Sequence, residues 1–485
     1  MVDSHSRSAA ARLFLLAGVI LPMALSPVGA LAAEVQHVGA PHLDGAALGL
    51  LWVVPFAGIL LSIALFPLFA PALWHHHFGK ISAFWGLAFI IPFTVEFGWD
   101  LAIYEVLHTA LLEYIPFIVL LTALFTVAGG VRVTGRLAGT PAVNTGLLTI
   151  GTLAASLMGT TGAAMLLIRP VIRANEKRRH KTHVVVFFIF LVANIGGSLT
   201  PLGDPPLFLG FLKGVDFFWP TIHLLAPMAL VGGCLLVLFY GLDSILYHRE
   251  GGLLPEPEGG ESLGLEGKVN LLLLLAVIGA VLLSGVWKPG VDFTVYHVTV
   301  PLETVASNLL LVGIALLSWR LTSRESRMLN AFTWGPILEV AKLFGAIFLT
   351  IIPAIAILRA GSEGALGVVV EAVNRDGQPV DAMYFWATGL LSSFLDNAPT
   401  YLVFFNTAGG DAEVLMREYT STLLAISAGA VFMGANTYIG NAPNFMVKAI
   451  AEERGVPMPS FFGYMVWSFG ILMPLFGLTT WVFFR

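Results

Sequence analysis

Residues 200–208 read TPLGDPPLF and lie inside a run of apolar sequence that is long enough to cross a membrane. Proline removes a backbone N–H and blocks the preceding helical turn, and glycine allows backbone angles that other residues avoid. The stretch therefore predicts a helix that is broken at membrane depth, with carbonyl oxygens released from helical hydrogen bonds. Its one carboxylate, Asp204, is a candidate functional group because an ionisable side chain inside a membrane is energetically unfavourable.

A second copy of this stretch lies near the other end of the chain. The segment GSLTPLGDPPLF (197–208) aligns without gaps on GANTYIGNAPNF (434–445), and the two are identical at five of twelve positions. Asn441 stands in the second copy where Asp204 stands in the first. The chain therefore predicts two broken helices that are alike in backbone and different in charge.

Each copy follows an apolar segment with small and polar residues in its middle, at 141–168 and at 383–405. Thr160 and Asn397 each precede the aspartate or asparagine of the following copy by 44 residues. Segments of this kind are typical of re-entrant hairpins, which are tolerated only where protein buries them or water lines them. Each half is therefore expected to contribute one hairpin tip and one broken helix.

Apolar runs of spanning length recur along the 485-residue chain, which is 57% hydrophobic and only 11% charged. A soluble globular chain is usually about 25% charged, so this composition predicts an all-α polytopic membrane protein. We expect the lipid bilayer as its main partner and no nucleic acid. Ten spans are expected, at about 47–70, 81–97, 114–130, 183–212 and 221–247, and then at about 269–287, 298–320, 335–358, 420–450 and 461–484.

Charge placement orients these spans. The segment RPVIRANEKRRHKTH (169–183) is strongly basic and is expected in the cytoplasm. Counting crossings outward from it makes the two sets of five spans and one hairpin run in opposite directions. This is an inverted-topology repeat, a common architecture of transporters. The expected units are the first repeat at 45–247, a cytoplasmic linker at 248–268 and the second repeat at 269–485.

The N-terminal segment has a different pattern. Arg7 and Arg12 precede the apolar run LFLLAGVILPMALSPVGALAA, and Ala30-Leu31-Ala32 fits the small-residue rule for signal-peptide cleavage. We expect residues 1–33 to be a signal peptide. The alternative is a retained transmembrane helix that is interrupted by prolines.

Two carboxylates, Asp204 and Asp396, fall where the two halves should meet. A hard cation prefers oxygen ligands, and carboxylates, amides, hydroxyls and freed carbonyls are available here. Two negative charges would attract Na⁺ or Li⁺ and repel a dicarboxylate. We expect Na⁺ at Asp204, Asp396, Asn397 and Asn441, with the hydroxyls of Thr160, Thr161, Thr200 and Thr437 as further ligands, and with Gly203, Pro205, Pro206, Gly440 and Pro443 shaping the broken backbone.

Proton coupling follows from competition at the same groups. A carboxylate that loses its hydration binds a proton more tightly, and a like charge nearby strengthens this effect. A protonated pair then releases the cation, and a bound cation displaces protons. Exchange would be electrogenic if both carboxylates are protonated for each cation carried.

Four further polar residues within the spans are accessory candidates. Glu303 and Asn308 lie in the seventh span. Glu339 and Lys342 are spaced i,i+3 near the inner end of the eighth span, so they share one helix face. This spacing predicts a structural ion pair, with a role in transport or in pH sensing as the alternative.

The motifs resemble those of the ion-transporter superfamily, which includes dicarboxylate, citrate and arsenite carriers and the NhaD-type sodium/proton antiporters. The hairpin tips GTTGAAM and LDNAPT, with GDPP and GNAPN further along, are most similar to the NhaD type. The resemblance implies two inverted repeats, a homodimer, and export of sodium or lithium in exchange for protons. Carboxylate carriers of this superfamily show Ser-Asn-Thr at both tips, whereas this chain reads Met158-Gly159-Thr160 and Asp396-Asn397-Ala398.

An anion carrier stays open at this point, whereas a channel is disfavoured because a midplane site shared by two repeats suits alternating access better. An anion carrier for a dicarboxylate, citrate or arsenite would be favoured by a basic residue near the hairpin tips. An intramembrane aspartyl protease needs Tyr-Asp and Gly-x-Gly-Asp contexts, which neither Asp204 nor Asp396 provides, and the chain contains no HExxH or GxSxG motif. We therefore expect a secondary transporter rather than an enzyme, in the inner membrane of a bacterium, with no cofactor besides the transported ions.

Overall fold

The computed structural model describes residues 41–135, 137–252 and 264–485. The signal peptide expected at 1–33 and residues 253–263 of the expected linker lie outside these ranges. The first part of the chain is almost entirely helical. Its helices are α1 (Val54–Phe69), α2 (Pro71–Thr109), α3 (Ile115–Ala128), α4 (Pro141–Met158), α5 (Thr160–Ala174), α6 (Thr182–Leu191), α7 (Pro205–Leu212) and α8 (Trp219–Arg249).

The second part of the chain is helical to a similar extent. Its helices are α9 (Val269–Val286), α10 (Leu302–Leu321), α11 (Arg324–Leu329), α12 (Gly335–Thr350), α13 (Ile352–Arg359), α14 (Gly367–Val373), α15 (Asp381–Phe394), α16 (Asn397–Thr407), α17 (Ala412–Arg417), α18 (Thr420–Met433), α19 (Ala442–Glu453) and α20 (Phe461–Phe483). Short antiparallel strand pairs lie in the connections: β1 (Arg132–Thr134) with β2 (Gly264–Glu266), β3 (Asp292–Val295) with β4 (Val298–Pro301), and β5 (Asn374–Arg375) with β6 (Gln378–Pro379).

Seven helices within the described ranges are long and apolar enough to cross a membrane, and an eighth span results if the bent pair α12–α13 is counted as one. That pair bends by 42° at a break next to Pro353, where a proline ring prevents regular helical hydrogen bonding. The predicted all-α polytopic class is confirmed.

The second and third expected spans belong to one nearly continuous helical segment, from Pro71 to Ala128. Helix α2 begins at Pro71, rather than near 81, and Gly98 interrupts it with a positive φ of 84°. Beyond this break the chain passes through the π-helical segment Ala110–Tyr114 directly into α3. The sequence did not predict this segment, which contains Glu113 and lies almost entirely before the span expected at 114–130.

Two pairs of helices form hairpins at the expected positions. Gly159 alone joins α4 to α5. Its φ of +81° is disfavoured for residues that carry a Cβ. The base of this first hairpin is closed, since Gly139 N–H donates to the Ala174 carbonyl over 2.8 Å. Leu395 and Asp396 join α15 to α16 in the second hairpin.

Both helices that were predicted to be broken have the break. Helix α6 ends at Leu191, and a 3₁₀ turn at Ile195–Ser198 and further turns separate it from α7. Helix α18 is separated from α19 in the same way by a 3₁₀ turn at Gly434–Asn436. Helix α6 is buried along its whole length from His183 onwards, so the first broken helix lies inside the protein core and not against lipid.

Equivalent contacts join the hairpin to the broken helix in each half. Thr200 Oγ1 donates to the Ser156 carbonyl in the first, and Thr437 Oγ1 donates to the Ser393 carbonyl in the second. Both donor–acceptor pairs are separated by 44 residues. This match supports an internal repeat, and the inverted orientation of the two halves stays a prediction.

Candidate functional site

Asp204 lies at the centre of the region where hairpins and broken helices meet. It precedes α7 and is only 1% exposed. Its Oδ1 accepts hydrogen bonds from Thr160 Oγ1 at 3.0 Å and from Asn441 Nδ2 at 3.1 Å. Its Oδ2 accepts one from Asn397 Nδ2 at 2.5 Å. One carboxylate therefore holds together both hairpin tips and both broken helices.

Four helix N-termini converge on this carboxylate. Thr160 and Asn397 are the first residues of α5 and α16, and Asp204 and Asn441 immediately precede α7 and α19. The N-terminal end of a helix carries a partial positive charge and unpaired N–H groups, which stabilise a nearby anion. The site can therefore accommodate an ionised carboxylate although the side chains that donate to it are uncharged.

Asp396 lies at the second hairpin tip, one residue before Asn397. Its side chain is half-buried and its Oδ1 accepts a hydrogen bond from the Ala398 N–H at 3.1 Å, which caps α16. It is close enough to Asp204 for the two charges to interact. The structure thus brings both expected carboxylates into one region, and only Asp204 is bonded across the two halves.

The amide of Asn397 has an unused oxygen. Its nitrogen donates to Asp204, whereas Asn397 Oδ1 is buried and has no hydrogen-bond partner within the described part of the chain. A buried polar atom without a partner is rare and destabilising. This oxygen, beside two carboxylates, is a suitable ligand for a hard cation.

The four threonines expected at the site divide into two groups. Thr160 contacts Asp204, and Thr161 is its half-buried neighbour on α5. Thr200 and Thr437 instead donate to hairpin carbonyls and accept from the N–H groups of nearby backbone turns. Their hydroxyls therefore fix the hairpin tips to the broken helices and do not contact Asp204.

The predicted glycines and prolines shape the broken backbone. Pro205 and Pro206 are the first two residues of α7, and Pro443 is the second residue of α19, where a missing N–H has no cost. A Cβ on Gly203 would lie 2.1 Å from the Gly197 carbonyl oxygen, and one on Gly440 would lie 2.6 Å from that of Gly434. The Gly203 carbonyl is not free, because the N–H of Thr160 donates to it.

Two asparagines of the site were not predicted from the sequence. Asn194 and Asn444 are fully buried, and Asn194 Nδ2 donates to Asn444 Oδ1 at 2.7 Å. Asn441 Nδ2 lies 3.2 Å from Asn194 Oδ1, which links this pair to Asp204. An amide inside the apolar run FLVANIGG was the available signal.

The accessory candidates lie away from Asp204. Glu303 on α10 pairs with Lys288 at 3.2 Å, and Asn308 is buried on the same helix. No salt bridge within 4 Å joins Glu339 to Lys342, although the two charges are close enough to interact. Glu339 interacts instead with Trp74, and the Lys342 ammonium lies over the Phe78 ring at 5.1 Å, because α2 packs against this face and offers both partners. None of the four contacts Asp204.

Comparison with known proteins agrees with a carrier. A family described as "Putative citrate transport" matches residues 45–484. The uncharacterized transporters Mb2703 of Mycobacterium bovis and Rv2684 of Mycobacterium tuberculosis are each 25% identical to this chain over 322 residues, which is 64% of this chain and 70% of each relative. The family match covers nearly the whole described chain, and the protein therefore belongs to this family of membrane transporters.

Proposed function

We propose that the protein is a secondary transporter that exchanges Na⁺ or Li⁺ for H⁺, with cation and protons competing for Asp204 and Asp396. The observation that carries the proposal is the environment of Asp204: a buried carboxylate, 1% exposed, whose side-chain partners are a hydroxyl and two amides. The resemblance of the hairpin tips to NhaD-type antiporters supports the same assignment.

The charge of the site favours a cation as cargo. Two carboxylates lie in one region, and the hydrogen bonds that Asp204 accepts in the described chain come from uncharged side chains. Asn397 Oδ1 adds an oxygen that has no hydrogen-bond partner among the described residues. A dicarboxylate entering this region would meet like charges without a basic side chain on Asp204 to balance them, whereas Na⁺ would find carboxylate and amide oxygens.

Proton exchange follows from the same burial. A carboxylate that is removed from water binds a proton or a cation unless strong hydrogen-bond donors stabilise its charge. Cation binding at Asp204 and Asp396 therefore releases protons, and protonation releases the cation. If both carboxylates titrate for each cation, the exchange is electrogenic. From the resemblance to NhaD-type antiporters, we also propose that the protein is a homodimer in a bacterial inner membrane.

An anion carrier is the second candidate. The four helix N-termini that converge at the site would stabilise a carboxylate group of a substrate as well as the carboxylate of Asp204. The description of the family points to citrate. In this alternative the Asp204 side chain would bind a proton or a coupling cation, and citrate, a dicarboxylate or arsenite would be the cargo.

The two candidates are distinguished in inside-out membrane vesicles that hold a pH gradient reported by a quenched dye. We expect NaCl or LiCl to restore fluorescence within seconds, with KCl, sodium-free citrate and sodium-free succinate as controls. Fluorescence recovery with citrate or succinate, and none with Na⁺ or Li⁺, would replace cation/proton exchange by the anion carrier.

A further inference from the structure

A cluster of buried charged and amide side chains lies outside the candidate site, at the base of the first hairpin. Arg178 is 3% exposed, and Asp243 on α8 is fully buried. Ionic groups in such positions are destabilising unless each is paired and hydrogen-bonded. We call this group the hairpin-base cluster; it consists of Asn144, Asn175, Arg178, His183, Asp243 and Glu250.

The guanidinium of Arg178 connects the hairpin to the end of α8. Nη2 donates to Asp243 Oδ1 at 2.8 Å, and Nε donates to Glu250 Oε2 at 2.9 Å. Nη1 donates to the Gly139 carbonyl at 2.8 Å, just before α4 begins. Three donors of one planar group thus tie the entry and the exit of the hairpin to α8.

Asp243 is also bonded to the hairpin and to the first broken helix. Its Oδ2 accepts from Asn144 Nδ2 on α4 at 2.9 Å, and His183 Nε2 on α6 lies 2.9 Å from its Oδ1. Asn175 completes the base of the hairpin, because its Nδ2 donates to Asn144 Oδ1 at 2.8 Å. The cluster therefore joins α4, α6 and α8 and the chain that leaves α5.

The second hairpin has a simpler arrangement at the equivalent place. Asp381 starts α15 at the position that Asn144 occupies in the first half, and its Oδ1 accepts one hydrogen bond, at 2.6 Å, from Thr422 Oγ1 on α18. Arg359 donates to Asn406 near the end of α16 at 2.8 Å. The first hairpin is thus held by a buried ionic cluster and the second by separate contacts.

We propose that the hairpin-base cluster is a positioning device that holds the first hairpin against α6 and α8 and so keeps the hydroxyl of Thr160 on Asp204. The hairpin is a stiff pair of helices with its base in the cluster and its tip at Thr160. A loosened base therefore displaces the tip. The consequence for cation binding rests on the proposed function, whereas the mechanical statement does not.

Hydrogen exchange of the purified protein tests the mechanical statement. The double variant Arg178→Met, Asp243→Asn removes both charges of the fully buried pair, and it leaves Glu250, whose side chain is 12% exposed, with the N–H of His180 as a donor. We expect peptide amides at 158–166 to exchange at least about tenfold faster than in the wild type, with peptide 395–404 changed by less than about twofold. Asp381→Asn is the matched control and should leave peptide 158–166 unchanged.

Transport kinetics provide the second measurement. The double variant should raise the Na⁺ concentration for half-maximal exchange about tenfold with little change in maximal rate per folded protein, and Arg178→Lys should lie between it and the wild type. Unchanged exchange at 158–166, or equal acceleration throughout the protein, overturns the proposal. If the wild type does not transport Na⁺ in exchange for H⁺, the proposed function fails. Amide hydrogen exchange then still tests whether the hairpin-base cluster positions the first hairpin.

Discussion

Asp204 differs from Asp243, which is also bonded to three side chains, because the partners of Asp204 come from both halves of the chain. Its two oxygens accept three hydrogen bonds from two hairpin tips and from the second broken helix, over sequence separations of 44, 193 and 237 residues. A proton or cation that binds these oxygens must compete with, or rearrange, the same hydrogen bonds. Occupancy of one side chain can thus be communicated to all four elements of the site.

Asp396 permits a test that separates charge from helix capping. Asparagine is as good an N-cap as aspartate, so Asp396→Asn should keep the hydrogen bond to the Ala398 N–H and leave the thermal unfolding midpoint unchanged. The variant removes the charge, and we expect Na⁺-dependent exchange in vesicles to fall below about 1% of wild type. Exchange at the wild-type rate would assign Asp396 to capping alone.

At the residue scale the sequence predicted the four groups that meet at Asp204 but not their full surroundings. Asp204, Asn441, Thr160 and Asn397 were found because two copies and equal spacing pointed to them. Asn444 aligns with Leu207, and Asn194 corresponds to Val431 in the other half, so the repeat gave no signal for either asparagine. Their hydrogen bond joins residues that are 250 positions apart, and local sequence patterns carry no information about such a long-range contact.

At the scale of elements, the close approach of two backbone segments defines the first broken helix. Gly203 lies so near Gly197 that a Cβ would be 2.1 Å from its carbonyl oxygen. This distance is well below van der Waals contact. The atom that the Cβ would meet belongs to the backbone, so rotation of a side chain cannot relieve the clash. The GDPP motif therefore contributes a packing constraint in addition to its carboxylate.

Gly203→Ala should destabilise the protein by about 3 kcal/mol, because the backbone must separate to admit a methyl group. The measurement is thermal unfolding in detergent. Gly146→Ala on α4 is the matched control: a Cβ there meets nothing within 4 Å, and we expect a change of less than about 1 kcal/mol. Equal midpoints for the two variants would contradict the packing account.

The breaks of α6–α7 and α18–α19 were predictable from proline and glycine in a repeated motif, and the hairpins from small and polar residues in apolar segments. The π-helical segment Ala110–Tyr114 and the positive φ of Gly98 were not. The π-helical turn and the positive φ are both local backbone geometries that are compatible with this sequence, but no motif in the sequence predicts them. Helix α2 also begins at Pro71, ten residues before the span expected at 81–97, so residues 75–77, which are three histidines, are helical.

At the scale of the whole molecule, the placement of charge predicts that the two halves run in opposite directions through the membrane. The basic segment at 169–183 and the loop at 359–382 are expected on opposite sides of the membrane. Lys177 and Arg375 are exposed representatives of the two segments. Matched contacts in the two halves support a repeat, and only sidedness decides whether it is inverted.

Sidedness can be measured with single cysteines in a Cys234→Ala background. A membrane-impermeant thiol reagent should label Arg375→Cys in intact cells and Lys177→Cys only in inside-out vesicles. Labelling of both cysteines from the same side would mean an even number of crossings between Lys177 and Arg375, whereas five spans are expected there, at about 183–212, 221–247, 269–287, 298–320 and 335–358. At least one of these segments would then not cross the membrane as expected, and the inverted repeat would be rejected.

The hairpin-base cluster shows what sequence patterns cannot reveal at this scale. Arg178 belongs to a basic segment that was expected in the cytoplasm, and it is buried against Asp243 and Glu250, 65 and 72 residues away. Composition assigns such residues to the surface. Only the three-dimensional packing of α8 against the hairpin pairs them.

Competition between cation and proton at Asp204 can be measured as proton release from purified protein in weakly buffered detergent solution when salt is added. We predict that NaCl or LiCl releases protons from the wild type, that choline chloride releases none, and that Asp204→Asn abolishes the Na⁺-induced release. The exposed Asp216→Asn should behave as wild type. An absence of release from the wild type, or wild-type release from Asp204→Asn, would contradict competition between cation and proton at Asp204.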